Sequence, residues 1–193
     1  MKKKVAFITA GYLPLPSVKG GAVETLTDLL IDSEEVQKKY EIDVYSVYDE
    51  LAKKKSQEII NVKFYYIKFT NIFNKFNKAY RYAINKYTKF YIGNDYISEL
   101  LKRYKNKLNE YDYVIVENKP EYGLVLRKFV KGKLIFHSHN DFLNFRTKNS
   151  KKIFDSYDSI FCLSKYIFNR INQIQKSNKI RVLYNGVDVQ RFS

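Results

Sequence analysis

Residues 4–30 read KVAFITAGYLPLPSVKGGAVETLTDLL, and the fold turns on this one transition. "VAFIT" (5–9) is a continuous β-rich apolar run, the pattern of a strand covered on both faces. The Gly- and Pro-bearing stretch "GYLPLPSVKGG" interrupts it. Val23, Leu26, Leu29 and Leu30 then recur at helical spacing. Strand, glycine loop and helix in that order form the first unit of a parallel α/β sheet. The pair Gly20–Gly21 has two readings. Glycine permits a turn that other residues resist, and a bare backbone at a helix N-terminus lets a phosphate approach.

Outward from this unit the rhythm repeats. Strand candidates are "IDVYSV" (42–47), "VKFYYI" (62–67), "YVIVE" (113–117), "KLIFHS" (133–138), "SIFCLS" (159–164) and "IRVLY" (180–184), with helical patterns between them. One such helix carries the stripe Tyr166, Ile167, Ile171 and Ile174. The expected fold class is therefore α/β, a doubly wound, mostly parallel sheet. Ligands of such sheets bind beyond the carboxyl ends of the strands. There lie the glycine loop, "ENKPEY", "HSHND" and "NGVD".

From Asn71 to Asn109 the pattern is helical with no intervening strand. Phe73, Phe76, Tyr80, Ile84, Tyr87 and Tyr91 fall on one stripe, and Lys75, Lys78, Arg81, Lys86 and Lys89 fall opposite. A second stripe follows in Ile97, Leu101, Tyr104 and Leu108. This is an inserted basic-aromatic helix pair. Either its aromatics pack on the sheet as in an ordinary amphipathic pair, or it offers a surface to a membrane interface or lipid-linked substrate. The five basic residues are the membrane-facing candidates.

Composition narrows the partners. The 193 residues are 45% hydrophobic with 18 Tyr and 14 Phe, ample for a core, and carry a formal net charge of +15. That excess favours an anionic partner or reflects a Lys-rich surface. No zinc-finger spacing or aromatic RNA-binding strand motif accompanies it, so nucleic acid is not expected. The single cysteine, Cys162, excludes an internal disulfide and reads as a buried inert thiol. The N-terminal apolar run is too short for a signal peptide, and no segment approaches the ~20 apolar residues of a membrane span. A cytoplasmic location is expected.

G-x-G-x-x-G and P-loop patterns are both absent after the first strand, which argues against nicotinamide and ATP or GTP phosphate binding of the standard kind. His137, His139 and Asp141 alternate, a spacing that zinc sites use on an extended strand. With only two histidines and one cysteine, further ligands are not apparent, and no metal is expected. A histidine at a sheet mouth suits hydrogen bonding to a polar ligand instead.

Taken together, "GGAVE" (20–24), "YVIVENKPEY" (113–122), "LIFHSHND" (134–141) and "SIFCLSKYIFNRI" with "KIRVLYNGVDVQRF" resemble the N-terminal, acceptor-side domain of a GT-B-fold glycosyltransferase of family 4, of the bacterial capsule and lipopolysaccharide type. The resemblance covers nearly the whole chain, residues 1–193. It implies the acceptor-binding half of a retaining, metal-independent hexosyltransferase without a cofactor, moving a sugar from a nucleoside diphosphate sugar to a cell-envelope glycan or lipid-linked precursor. Such an enzyme would be peripheral at the inner face of the plasma membrane. A second, nucleotide-sugar-binding domain bearing E-x7-E would follow. Glu50 and Glu58 share that spacing but flank a lysine-rich loop in the wrong half. This fragment alone is expected to be inactive.

By the same resemblance Gly20 and Gly21 close over the donor diphosphate, and His139 lies nearest the transferring sugar, with His137 as the alternative. Asn118, Lys119 and Asn140 line the acceptor side, and Glu24 lies near the cleft. A sugar-nucleotide epimerase of the same fold would need acid/base carboxylates at strand ends, which the motifs do not supply. A noncatalytic membrane- or glycan-binding module is the other alternative.

Overall fold

The computed structural model describes residues 2–68, 74–88 and 90–186, and the side chains of all of these except 74–78. The chain runs β1 (Lys3–Ile8), α1 (Ala22–Ile31), α2 (Glu34–Lys39), β2 (Tyr40–Val47), α3 (Glu50–Ser56), β3 (Val62–Ile67), α4 (Asn74–Tyr87) and α5 (Asp95–Tyr104). It continues β4 (Tyr113–Glu117), α6 (Gly123–Leu126), β5 (Lys133–Ser138), α7 (Ser150–Ser156), β6 (Ser159–Cys162), α8 (Lys165–Asn172) and β7 (Ile180–Val182). Every expected strand is present, with ends within about two residues of the sequence reading, the usual boundary error.

The strands form one sheet in the order β3-β2-β1-β4-β5-β6-β7, parallel throughout. Right-handed crossovers put the connections of β1–β3 on one face and those of β3 through β7 on the other. Side-chain alternation supplies a core to each face. Val5, Phe7, Ile42 and Val44 pack with Leu15 and Ile31 on the first. Ala6, Ile8, Val114, Val116, Leu134 and Phe136 meet α5, α6, α7 and α8 on the second, through Ile97, Leu126, Phe154 and Ile171 among others. Side chains cap α3, α5 and α8: Asp49 accepts from Leu51 and Ala52 N–H, Asn94 from Ile97 and Ser164 from Ile167. These caps satisfy N–H groups that each helix start leaves unpaired. Cys162 is buried, and burial pushes its thiol up to about 11.

Two helix faces differ from the sequence reading. In α1 the buried residues are Glu24, Thr27 and Ile31, while Leu29 and Leu30 are exposed. At the helix entry Gly21 lacks a Cβ, and the Glu24 carboxylate and Leu13 occupy that space.

In α4 the expected aromatic-in, basic-out division is not found. Tyr80, Tyr82 and Tyr87 are exposed with Phe90 just beyond the helix, and Lys86 lies over the Tyr82 and Tyr87 rings. Arg81 points inward to an ion pair with Asp95 at 2.8 Å. Polar contacts hold the helix: Asn85 Nδ2 donates to Gly93 O, Ile92 N–H donates to Asn85 Oδ1, and Lys148 Nζ donates to Lys86 O. With its anchoring face polar, the rings are left for the outside. Tyr91 does pack against the core, as do Ile97, Leu101, Tyr104 and Leu108 of the second stripe. Phe73 and Lys89 lie outside the described residues, as do the side chains of Lys75, Phe76 and Lys78. No helix among the described residues is long and apolar enough to cross a membrane.

Candidate active site at the carboxyl ends of the strands

The parallel register sets Glu117, the last residue of β4, directly beside His137 on β5. Both side chains therefore leave the same face of the sheet. Beyond the strand end the chain turns, and the His139 ring folds back beside that of His137, with ring centroids 4.2 Å apart. Glu117 lies between them. Its Oε2 is 2.8 Å from His139 Nε2 and 3.0 Å from His137 Nδ1. The three side chains are 2%, 5% and 15% exposed for Glu117, His139 and His137.

Burial would raise the Glu117 carboxyl, but the hydrogen bonds and charge of the two imidazoles outweigh it and hold Glu117 below its ordinary range. His137 shows the reciprocal balance: burial opposes its charged form, and the Glu117 hydrogen bond prevails, leaving it raised. Glu24 belongs to the same electrostatic neighbourhood. Burial raises its carboxyl, His139 lowers it, and the negative charge of Glu117 raises it again.

Asn118 serves the same turn. It adopts φ 53°, its backbone N–H donates to His137 O, and its Oδ1 accepts from His139 N–H at 3.3 Å. A short amide tolerates this left-handed conformation better than most residues. Asn118 thus fixes the backbone that carries His139. Lys119 lies over the Tyr12 ring and 3.8 Å from Glu121. Asn140 takes a hydrogen bond from Ser138 on its carbonyl, while its Oδ1 is buried with no partner among the described residues.

Asp141 is not the third member of the histidine cluster. The strand ends at Ser138, so the alternation that would align His137, His139 and Asp141 stops there. Asp141 faces Arg170 and Tyr166 instead. Glu117, which the sequence reading did not select, takes the place. Its signal was an acid closing an otherwise apolar strand.

Glu117, His137 and His139 form a group among the described residues whose donor atoms converge within 4.8 Å. The cluster does not fit a resident metal well. Its inward nitrogens are already placed to donate to the carboxylate. The outward ones, His137 Nε2 and His139 Nδ1, are buried without a partner among the described residues, whereas a metal-bound imidazole normally has its outer N–H held.

The glycine turn is firmly set. Leu15 N–H donates to Ser46 Oγ, Tyr66 OH donates to Leu15 O, and Ser17 N–H donates to Asp28 Oδ2. Gly20 and Gly21 have φ 73° and 103°, and Gly21 is the N-cap residue of α1, with no side-chain cap hydrogen bond. At Gly20 a Cβ would meet open space, but at Gly21 it would collide with Glu24 Oε2 and lie 2.7 Å from Leu13 Cδ1. Gly21 is therefore required by packing, and at Gly20 the space beside the backbone is open. Next to this region a groove of about 510 Å³ runs between Leu26, Leu30, Leu183 and Asn185, with Glu117 and His137 on its wall.

A doubly wound parallel sheet with buried polar groups gathered at its carboxyl edge defines a Rossmann-like ligand-binding fold. Residues 33–191 match the model of Glycosyltransferase Family 4, and the chain belongs to that family. No curated protein matches it. Among solved structures it is similar to sucrose-phosphate synthase of Thermosynechococcus elongatus (TM-score 0.60, 9% identity, 98% of this chain and 49% of that one). It is also similar to a glycosyltransferase of Rickettsia africae (0.58, 17%, 100% and 45%) and to Anabaena HepE in complex with UDP and glucose (0.56, 14%, 97% and 46%). These likenesses place the fold as the Rossmann-like part of GT-B glycosyltransferases. The chain spans about half the length of the structures it matches.

Proposed function

We propose that the chain is the N-terminal, acceptor-binding domain of a retaining glycosyltransferase that transfers a sugar from a nucleoside diphosphate sugar to a cell-envelope glycan precursor of the capsule or lipopolysaccharide type. The observation that carries this reading is a pair of buried histidines held by one carboxylate at the carboxyl edge of a family 4 sheet. The complex of HepE with UDP and glucose supports a nucleotide sugar as donor. In this reading His139 hydrogen-bonds a hydroxyl of the reacting sugars. The open backbone at Gly20, beside the uncapped start of α1, admits the diphosphate. Lys119 and Asn140 face the acceptor, and a second domain supplies the other wall of the cleft. Catalysis then rests on positioning and on stabilising the departing diphosphate.

Peripheral attachment to the cytoplasmic face of the membrane belongs to the same reading. Tyr80, Tyr82, Tyr87 and Phe90 are exposed beside Lys86, and tyrosine with a cationic neighbour suits the headgroup level of a bilayer.

The test uses the full-length enzyme, a panel of labelled nucleoside diphosphate sugars and an envelope lipid extract. One donor should be transferred, and His139→Ala should lower turnover by roughly 10²-fold if its hydrogen bond forms mainly in the transition state. Residues 1–193 alone should transfer nothing. Absence of transfer from every donor, or an unaffected His139→Ala enzyme, refutes the reading.

A further inference from the structure

The two histidines share one carboxylate. A carboxylate accepts hydrogen bonds and donates none. Glu117 Oε2 hydrogen-bonds His139 Nε2 at 2.8 Å, and its Oε1 hydrogen-bonds His137 Nδ1 at 3.3 Å. Both facing nitrogens must then carry their protons. In the neutral rings this leaves the opposite nitrogens, His139 Nδ1 and His137 Nε2, as lone-pair acceptors, and these two atoms are buried without a partner among the described residues.

We infer that Glu117 is a positioning residue that fixes opposite tautomers in the two histidines, Nε2–H in His139 and Nδ1–H in His137, so that His139 presents an accepting Nδ1 to a hydroxyl of the bound sugar. The backbone around it is built to the same end. Asn118 Oδ1 holds the His139 N–H, and Asn118 N–H holds the His137 carbonyl. His139 is thus fixed at its main chain by one neighbour and at its ring by another. A free imidazole samples either tautomer and reorients; this one has its acceptor side assigned before a ligand arrives. The logic matches a buried carboxylate that orients a catalytic imidazole without itself exchanging a proton.

The assignment of His137 is the sharper half. It commits that ring to a proton on Nδ1 because Glu117 is its cross-strand neighbour, while the next histidine along the chain carries its proton on Nε2. Packing alone gives no reason for two histidines two residues apart to differ in this way.

Only the catalytic consequence rests on the transferase reading; the tautomers do not. The chain has two histidines in all, so residues 1–193 labelled with ¹⁵N-histidine give a spectrum of two rings. With the pH raised until the ¹⁵N shifts themselves report neutral rings, long-range ¹H–¹⁵N correlation should show a protonated Nε2 in His139 and a protonated Nδ1 in His137. In Glu117→Gln, an amide that both donates and accepts, at least one ring should lose its tautomer while the fold is kept. If that variant does not fold, the wild-type spectrum decides by itself: the same tautomer in both rings, or averaging in either, overturns the proposal.

In the full-length enzyme Glu117→Gln should lower kcat by about 10–100-fold with little change in KM, the scale known for removing the carboxylate that orients a metal-bound histidine and taken here for an orienting carboxylate without a metal. Combination with His139→Ala should cost no more than His139→Ala alone. Additive losses overturn the proposal. Correct tautomers with an inert His139→Ala would instead remove the transferase role of His139 and leave the Glu117 assignment standing.

Discussion

Replacing each glycine of the turn by alanine separates the two demands made on it. At Gly20, φ is 73° and an added Cβ meets nothing within 4 Å. The substitution costs only the left-handed backbone penalty, about 1 kcal/mol. For a chain of this size, 1 kcal/mol corresponds to roughly 2–4 °C in melting temperature. At Gly21, φ is 103°, further from any conformation favoured by an L-residue. The Cβ must also displace the buried Glu24 carboxylate and Leu13. Overpacking of this kind adds about 1–3 kcal/mol, for a total of about 3 kcal/mol and a fall of roughly 6–12 °C.

Calorimetry or circular dichroism melts of the two variants measure this directly, and Glu24→Ala completes a cycle. Because one of the two colliding groups is gone, Gly21→Ala with Glu24→Ala should cost less than the sum of the singles, by about 1 kcal/mol. Equal melting shifts at Gly20 and Gly21, or a strictly additive cycle, would refute the account of the turn. Gly20→Ala is then the substitution for examining phosphate approach in the full-length enzyme, since it changes the open backbone with little cost to the fold.

The Glu117 cluster predicts a pH dependence. The folded pKa of His137 is raised above 6.5, so its contribution is fully present below that value and lost as pH rises through the raised one. The folded pKa of Glu117 lies below 4.5, so its contribution is present above 4.5 and lost as pH falls through the lowered value. The melting difference between wild type and His137→Gln should therefore be largest between pH 4.5 and 6.5 and shrink on both sides; a flat difference speaks against the pair. At α4, replacing Tyr80, Tyr82, Tyr87 and Phe90 by serine should weaken sedimentation with anionic vesicles about tenfold or more, a loss of some 1.4 kcal/mol, without lowering the melting temperature. Equal binding by wild type and variant would mean that these rings do not touch lipid.

The strands were legible because a doubly wound sheet writes each of them as a short apolar run between helical patterns. The order in which such strands pair is not written in any one run, and Glu117 depended on it. "YVIVE" and "KLIFHS" each read as an ordinary buried strand. Only their register brings the acid of one beside the histidine of the other. In α1 the periodic leucines pointed to the wrong face: Glu24, Thr27 and Ile31 are buried, with the Glu24 carboxylate in the space that a Cβ at Gly21 would take. In α4 both sides of the helix contain tyrosine, and periodicity cannot say which side is anchored. The polar contacts of Asn85, Arg81 and Lys148 decide it.

The loop between β1 and α1 contains several prolines and glycines, yet Ser46, Tyr66 and Asp28 tie it to β2, β3 and α1. Conformational entropy at Leu15 and Ser17 is surrendered when the domain folds, so less would remain to be lost if, as proposed, a phosphate settles against the glycine turn. In the proposed function, affinity at this turn would in part be a property of residues 31 and 51 positions away along the chain from Leu15. Cutting those ties, by Ser46→Ala or Tyr66→Phe, would weaken a ligand that neither side chain touches.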